Sequence, residues 1–230
     1  MPNFGFSYYL KLLSLKPKPR EAELRSKFLG DGPGYDFHRR MKLAARRLMM
    51  GEASFDELIS EASQIKPTPE RTSYVEGLTR LREWRNETTG EPVSVASKLH
   101  TPVLGLFGVS SKPEFGLTER GSTTAYYIWN TKRPQLTVEA VRAALSLLPD
   151  LYAEDSSPPD DFAILSLREQ EVYLLSGVGL APSVALLATE DLEDRILKIL
   201  DEAEEQPTSS DGGIFDQPPA IQLGGIGPEL

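Results

Sequence analysis

The chain has 230 residues, 40% of them hydrophobic, no cysteine and a formal net charge of −9. That length fits one large domain or a small domain joined to a second, and the apolar content is enough for at least one core. The missing thiols exclude a disulfide framework, a cysteine nucleophile and any zinc site built on thiolates.

The charge is split along the chain. Residues 1–50 carry +7, residues 51–150 carry −2 and residues 151–230 carry −14. Either the basic end meets an acidic partner and the acidic end a basic one, or the two ends satisfy each other. The apolar stretch within Met1 to Leu15 is broken by Ser7, Lys11 and Ser14, with no charged region before it and no cleavage site after it. It does not fit a signal peptide. No apolar run approaches about 18 residues, so no segment is expected to span a membrane.

In chain order, the first 85 residues read as helical. Lys16-Pro17-Lys18-Pro19 is expected to be an extended break, followed by a helix from Glu21 to Leu29 that Gly30 to Gly34 stops. Asp36 is placed to cap a helix running to Met50, with Gly51 ending it. Ser54 and Glu57 have the spacing of a capping box. Thr68, before Pro69, caps a helix whose Tyr74, Val75, Leu78, Leu81 and Trp84 share one face. These helices predict a small bundle or a helical cap on the rest of the chain.

From residue 92 the pattern changes. Val93 to Val109, Phe115 to Leu117 and Ser122 to Trp129 have strand composition, with Arg120-Gly121 as a tight turn. Thr137 caps a helix bearing Val138, Val141, Leu145 and Leu148. Phe162 to Leu167 and Val172 to Leu175 flank a hairpin turn. Val184 to Leu187 is expected as a short strand, after which Thr189 caps a last helix with Leu192, Ile196, Ile199 and Leu200 buried. The fold class is therefore α+β: a helical portion (residues 1–85), a mixed sheet with two packed helices (92–203) and a disordered acidic tail (206–230).

Candidate chemistry begins with the basic helix. At 100° per residue, Arg39, Lys42 and Arg46 lie opposite the apolar face, and Arg40 and Arg47 flank them. Five cations on one surface can neutralise phosphates, which makes this helix the nucleic-acid candidate. Alternatively it is an ordinary solvated face. His38 and His100 stand in separate segments without ligand spacing, so neither is expected to bind metal. No serine sits in a Gly-x-Ser-x-Gly frame, and Gly177-Val178-Gly179 and Gly224-Gly225-Ile226-Gly227 lack the sequel of a phosphate loop. Asp160-Asp161, Glu169 and Glu171 loosely resemble the carboxylate set of a metal-dependent nuclease or hydrolase. No lysine completes it, so Asp161, Glu169 and Glu171 are weak catalytic candidates. Glu114 and Glu119 occupy loop or strand-end positions where a functional role cannot be told from turn chemistry.

The tail places Ile214, Phe215, Ile221 and Leu223 among proline and acid, a composition suited to docking in a partner groove. The leading expectation is a cytosolic interaction or regulatory protein acting through protein contacts, leaning away from an enzyme, with no cofactor, no metal and no membrane. Nucleic-acid binding through residues 36–50 is the alternative, and a metal-dependent nuclease or hydrolase the second.

Overall fold

The computed structural model describes residues 1–30 and 37–205. In chain order the elements are β1 (Asn3–Gly5), α1 (Phe6–Ser14), α2 (Pro17–Leu29), α3 (Arg39–Met49), α4 (Phe55–Glu61), a 3-10 turn (Ala62–Gln64) and α5 (Thr68–Glu87). Next come β2 (Glu91–Val93), β3 (Lys98–His100), β4 (Gly108–Ser111), β5 (Phe115–Glu119), β6 (Ser122–Trp129), α6 (Val138–Leu145) and α7 (Leu148–Tyr152). The chain then runs through β7 (Asp161–Ser166), β8 (Glu171–Leu174), α8 (Leu175–Val178) and α9 (Pro182–Glu204). The class is α+β.

Five strands form the main sheet in the order β2-β5-β6-β7-β8, with β6 and β7 parallel and the other pairs antiparallel. Its centre is explained by composition. The run Ala125 to Trp129 is apolar at every position, as a strand covered on both faces requires. Ala125, Tyr127 and Trp129 join one core, together with Phe162 and Ile164 of β7. Tyr126 and Ile128 join a second core, with Ala163 and Leu165. The turn between β5 and β6 holds both Arg120 (φ 51°) and Gly121 (φ 85°) in the left-handed region, which matches the twist of a two-residue hairpin. Residues of α1, α2, α6, α7 and α9 fill the first core, whereas α3, α4 and α5 cover the opposite face. The N-terminal helices are thus divided between the two sides of the sheet.

A second, three-stranded sheet has the order β1-β4-β3. Asn3, Phe4 and Gly5 pair in parallel with Gly108, Val109 and Ser110. The first residues therefore form a strand, where helix was expected, and α1 begins only at Phe6.

Several local expectations hold. Ser54 and Glu57 make the reciprocal capping box, and the Thr137 hydroxyl accepts from the Ala140 amide at 3.2 Å. Others need correction. Pro17 and Pro19 do not form an extended break; they lie in the first turn of α2, where a proline needs no intrahelical donor. Only Leu15 and Lys16 are extended. Arg20 completes the corner, its guanidinium donating to the carbonyls of Leu12, Leu13 and Leu15 at the end of α1. Thr68 is the first residue of α5 and Pro67 its cap, one position earlier than expected.

Residues 184–187 are not a strand, and Thr189 does not start a helix. Both lie inside α9, where Ala185, Thr189, Leu192, Ile196 and Ile199 make one buried stripe at helical spacing. Thr189 donates to the Ala185 carbonyl at 2.8 Å and shares a hydrogen bond with the Tyr9 hydroxyl. Asp36, expected as a cap, lies outside the described residues.

Candidate nucleic-acid interface

Helix α3 carries an amphipathic pattern that sorts its cations by what they can reach. Met41, Ala44, Ala45 and Met49 are buried against the α5 side of the molecule. Arg40 and Arg47, flanking that face, are turned to acids of neighbouring helices. Arg47 makes a bidentate pair with Glu61 of α4 (2.8 and 3.0 Å), and Arg40 stands 3.7 Å from buried Glu70 of α5. These two predicted cations are engaged within the fold.

Arg39, Lys42, Leu43 and Arg46, at positions i, i+3, i+4 and i+7, line a cavity of about 580 Å³. Its other walls are Gly5 to Ser7, the start of α1, and Ser110 to Glu114 between β4 and β5, with Tyr127 on its floor. Three cations here, Arg39, Arg46 and Lys112, make no ion pair with a described residue. Leu43, 60% exposed, sits among them as an apolar contact.

A second cavity of about 470 Å³ adjoins the first, and both are lined by Gly5, Ser7 and Lys42. Lys11 and Tyr8 of α1, Glu23 and Lys27 of α2, Phe37 and His38 before α3, and Ile128 to Thr131 with Arg133 beyond β6 enclose it. Lys42 stands at the divide. Its ammonium donates to the Ser7 hydroxyl and lies 3.9 Å from Glu114, whose other oxygen accepts the Ile128 amide at 2.7 Å. The two cavities, which share Gly5, Ser7 and Lys42 in their walls, together make a groove near the carboxyl end of β6.

The lining is basic in a chain of net charge −9. Lys11, Lys27, Lys42 and Arg133 surround the smaller lobe against Glu23, which is already paired with Lys11. Arg39, Arg46 and Lys112 add to the larger lobe against Glu52 and Glu114. Burial, assisted by Glu23, pushes the Tyr8 phenol up to about 12, and burial raises Tyr127 well above its ordinary value. Neither phenol adds negative charge at neutral pH. Below the groove, Asn130 anchors the strand end: its amide donates to the carbonyl and hydroxyl of Ser73, both at 3.1 Å, and Arg168 holds its backbone carbonyl.

The acidic candidates are not gathered. The Asp161 carboxylate accepts the amides of Phe162 and Ser176 and the Ser176 hydroxyl at the start of β7. Glu169 accepts the Ser166 hydroxyl, and Glu171 the Tyr173 hydroxyl, at the far end of that strand. Five strand steps, about 17 Å, separate the two ends. Among the described residues no three His, Asp or Glu side chains are placed to hold a metal ion. His100 lies in β3, and its imidazole is held below the usual range by burial. Ile214, Phe215, Ile221 and Leu223 lie outside the described residues.

Residue patterns alone pointed to Arg39, Lys42 and Arg46 of α3; the structure places Lys11, Lys27, Lys112 and Arg133, from other segments, around the same cavities. The sequence signals were slight: Lys11 interrupts the apolar run of α1 and Lys112 directly follows β4.

The charge split is partly closed within the molecule. Arg20 and Arg25 of α2 pair with Asp191 and Glu202 of α9. No helix among the described residues is long and apolar enough to cross a membrane. No family model matches the chain, and no curated protein is similar to it. Among solved structures, one described as the crystal structure of SSO0001 aligns over 77% of this chain and 84% of its own, at 12% identity and a TM-score of 0.34. That likeness carries no argument about this chain.

Proposed function

We propose that this is a cytosolic nucleic-acid-binding protein that holds a strand in the groove between α1, α3 and the end of β6. The observation that carries this reading is the stripe Arg39, Lys42, Leu43 and Arg46 facing Lys112 across one cavity while Arg40 and Arg47 are spent on Glu70 and Glu61. The stripe spans roughly 10 Å along the helix. A net acidic chain repels a polyanion at long range, but charges beyond about 8 Å are largely screened at physiological salt, so the local cations govern contact.

The test is fluorescence anisotropy with labelled oligonucleotides at two salt concentrations. Binding should weaken as salt rises, with a slope of about −2 for three phosphate contacts on a single strand. The triple variant R39E/R46E/K112E should lose at least tenfold in affinity, whereas Lys198→Glu on α9 should bind as the parent does. Absence of binding at low salt, or equal binding by the triple variant, sinks the reading.

A second reading, contact with another protein, is favoured by Val184 and Leu187, 41% and 63% exposed on one face of α9 beside exposed Leu180. A partner recovered by pull-down with the parent chain and lost with V184D/L187D would support it. An unchanged partner set would remove this surface from consideration.

A further inference from the structure

The two lobes of the groove differ in a way that specifies the ligand further. A phosphodiester within a strand carries one negative charge, whereas a terminal phosphate monoester carries about −1.5 to −2 at neutral pH and offers three acceptor oxygens. The smaller lobe concentrates Lys11, Lys27, Lys42 and Arg133 around about 470 Å³, with the hydroxyls of Ser7 and Ser26 beside them. Glu23 is its carboxylate, and Lys11 already engages it. With Lys11 on Glu23 and Lys42 beside Glu114, Lys27 and Arg133 remain without an ion pair among the described residues, two cations for one doubly charged phosphate.

Two aromatic side chains, Tyr8 and Phe37, also line the lobe. The Tyr8 ring has Lys11 and Lys27 5.9 and 6.0 Å from its centroid, and Phe37 stands edge-on to His38 at 4.9 Å. Asn130 lines the cavity, is 2% exposed and uses its amide nitrogen on both Ser73 acceptors. Its side-chain oxygen is buried with no hydrogen-bond partner among the described residues. That oxygen is sealed from the cavity, so it does not itself contact a ligand, and any base contact falls to the aromatic lining.

We propose that the smaller lobe is a terminal-nucleotide site, taking the phosphate monoester at a strand end or on a free nucleoside monophosphate, with Lys27 and Arg133 as its principal phosphate contacts. The inference rests on the groove reading for the strand but not for the free nucleotide. Ser7 and Lys42 mark the point at which a strand held by its end passes into the larger lobe.

The experiment measures affinity of the full chain for one oligonucleotide in three forms, 5′-phosphorylated, 3′-phosphorylated and unphosphorylated, and titrates AMP, UMP and inorganic phosphate as competitors. One phosphorylated form should bind at least tenfold more tightly than the unphosphorylated strand. The variant K27A/R133A, verified as folded by its melting temperature, should erase that difference, losing at least tenfold more affinity for the phosphorylated strand than for the unphosphorylated one. R39A/R46A should weaken all three forms together. Equal affinity for all three forms overturns the end site and leaves the groove reading standing. Binding of AMP measured directly by calorimetry, with no oligonucleotide binding, keeps the site and sinks the groove. Competition by inorganic phosphate as effective as AMP removes the base from the proposal, and no binding of any probe overturns both.

Discussion

Single side chains in this protein report on distinct pH windows. The His100 imidazole is held below its ordinary value mainly by burial, with Glu193 opposing the shift. A histidine whose folded-state pKa is depressed leaves the unfolded chain holding more protons, so stability falls as pH drops below about 6.5. The expected outcome is a melting temperature that declines from pH 7 to 5 in the parent and declines less in His100→Gln. Asp191 and Glu202 act lower: hydrogen bonds from Arg195 and Arg25 respectively hold these carboxyls down, and their contribution is lost as pH falls through the carboxylate range. The two effects separate between pH 5 and 7, where only the histidine responds. Asn130 is expected to matter through its neighbour. Asn130→Ala removes the donor to the Ser73 carbonyl and should cost about 1–3 kcal/mol, read by denaturant titration.

At the scale of elements, what was legible depended on whether a residue's role was set by its own segment. Helical spacing puts Arg39, Lys42 and Arg46 opposite the apolar face with Arg40 and Arg47 beside them, but only the neighbouring helices decide that Glu70 and Glu61 engage the last two. The β5–β6 turn could be read because Arg120-Gly121 is a local device. It carries a testable cost: Arg120 adopts φ 51°, which a side chain other than Asn or Gly holds at a penalty of order 1 kcal/mol. Arg120→Asn should therefore raise the melting temperature by a few degrees. Thr137→Ala should lower stability by about 1 kcal/mol through the lost cap of α6, again by thermal unfolding. The start of α9 was not legible. Val184-Ala-Leu-Leu187 has strand composition, and its true pattern runs through Ala185 and Thr189, whose polar hydroxyl is tolerated in the core only because the Tyr9 hydroxyl and the Ala185 carbonyl share its hydrogen bonds. Likewise Pro17 and Pro19 announce a boundary but not on which side the helix lies.

For the whole molecule, the α+β class was readable from the order of helical and strand patterns, but the arrangement of layers was not. The early helices separate, α1 and α2 to one face and α3 to α5 to the other, because each apolar stripe finds its complement on a sheet whose central strand is apolar on both sides. The candidate site exists only after that separation, since its cations come from α1, α2, α3, the β4–β5 connection and the segment after β6. No spacing within one segment encodes it. The charge split likewise gains a spatial meaning. The cations of α2 meet the acids of α9, and those of α3 face the groove.

The pairing of β1 with β4 bears on when the groove comes into being. Gly5 and Ser110 are partners across more than a hundred intervening residues, and a contact of that separation forms only after the entropy of closing so long a loop has been offset by the packing between. Gly5 to Ser7 and Ser110 to Glu114 are also the facing walls of the larger lobe. The groove is therefore expected to be among the last parts of the molecule to assemble. In pulsed hydrogen exchange during refolding, amides of β1 and β4 should gain protection after those of the β5–β6 hairpin. A chain still being made would then carry its basic helix exposed, with the facing walls of the groove not yet paired.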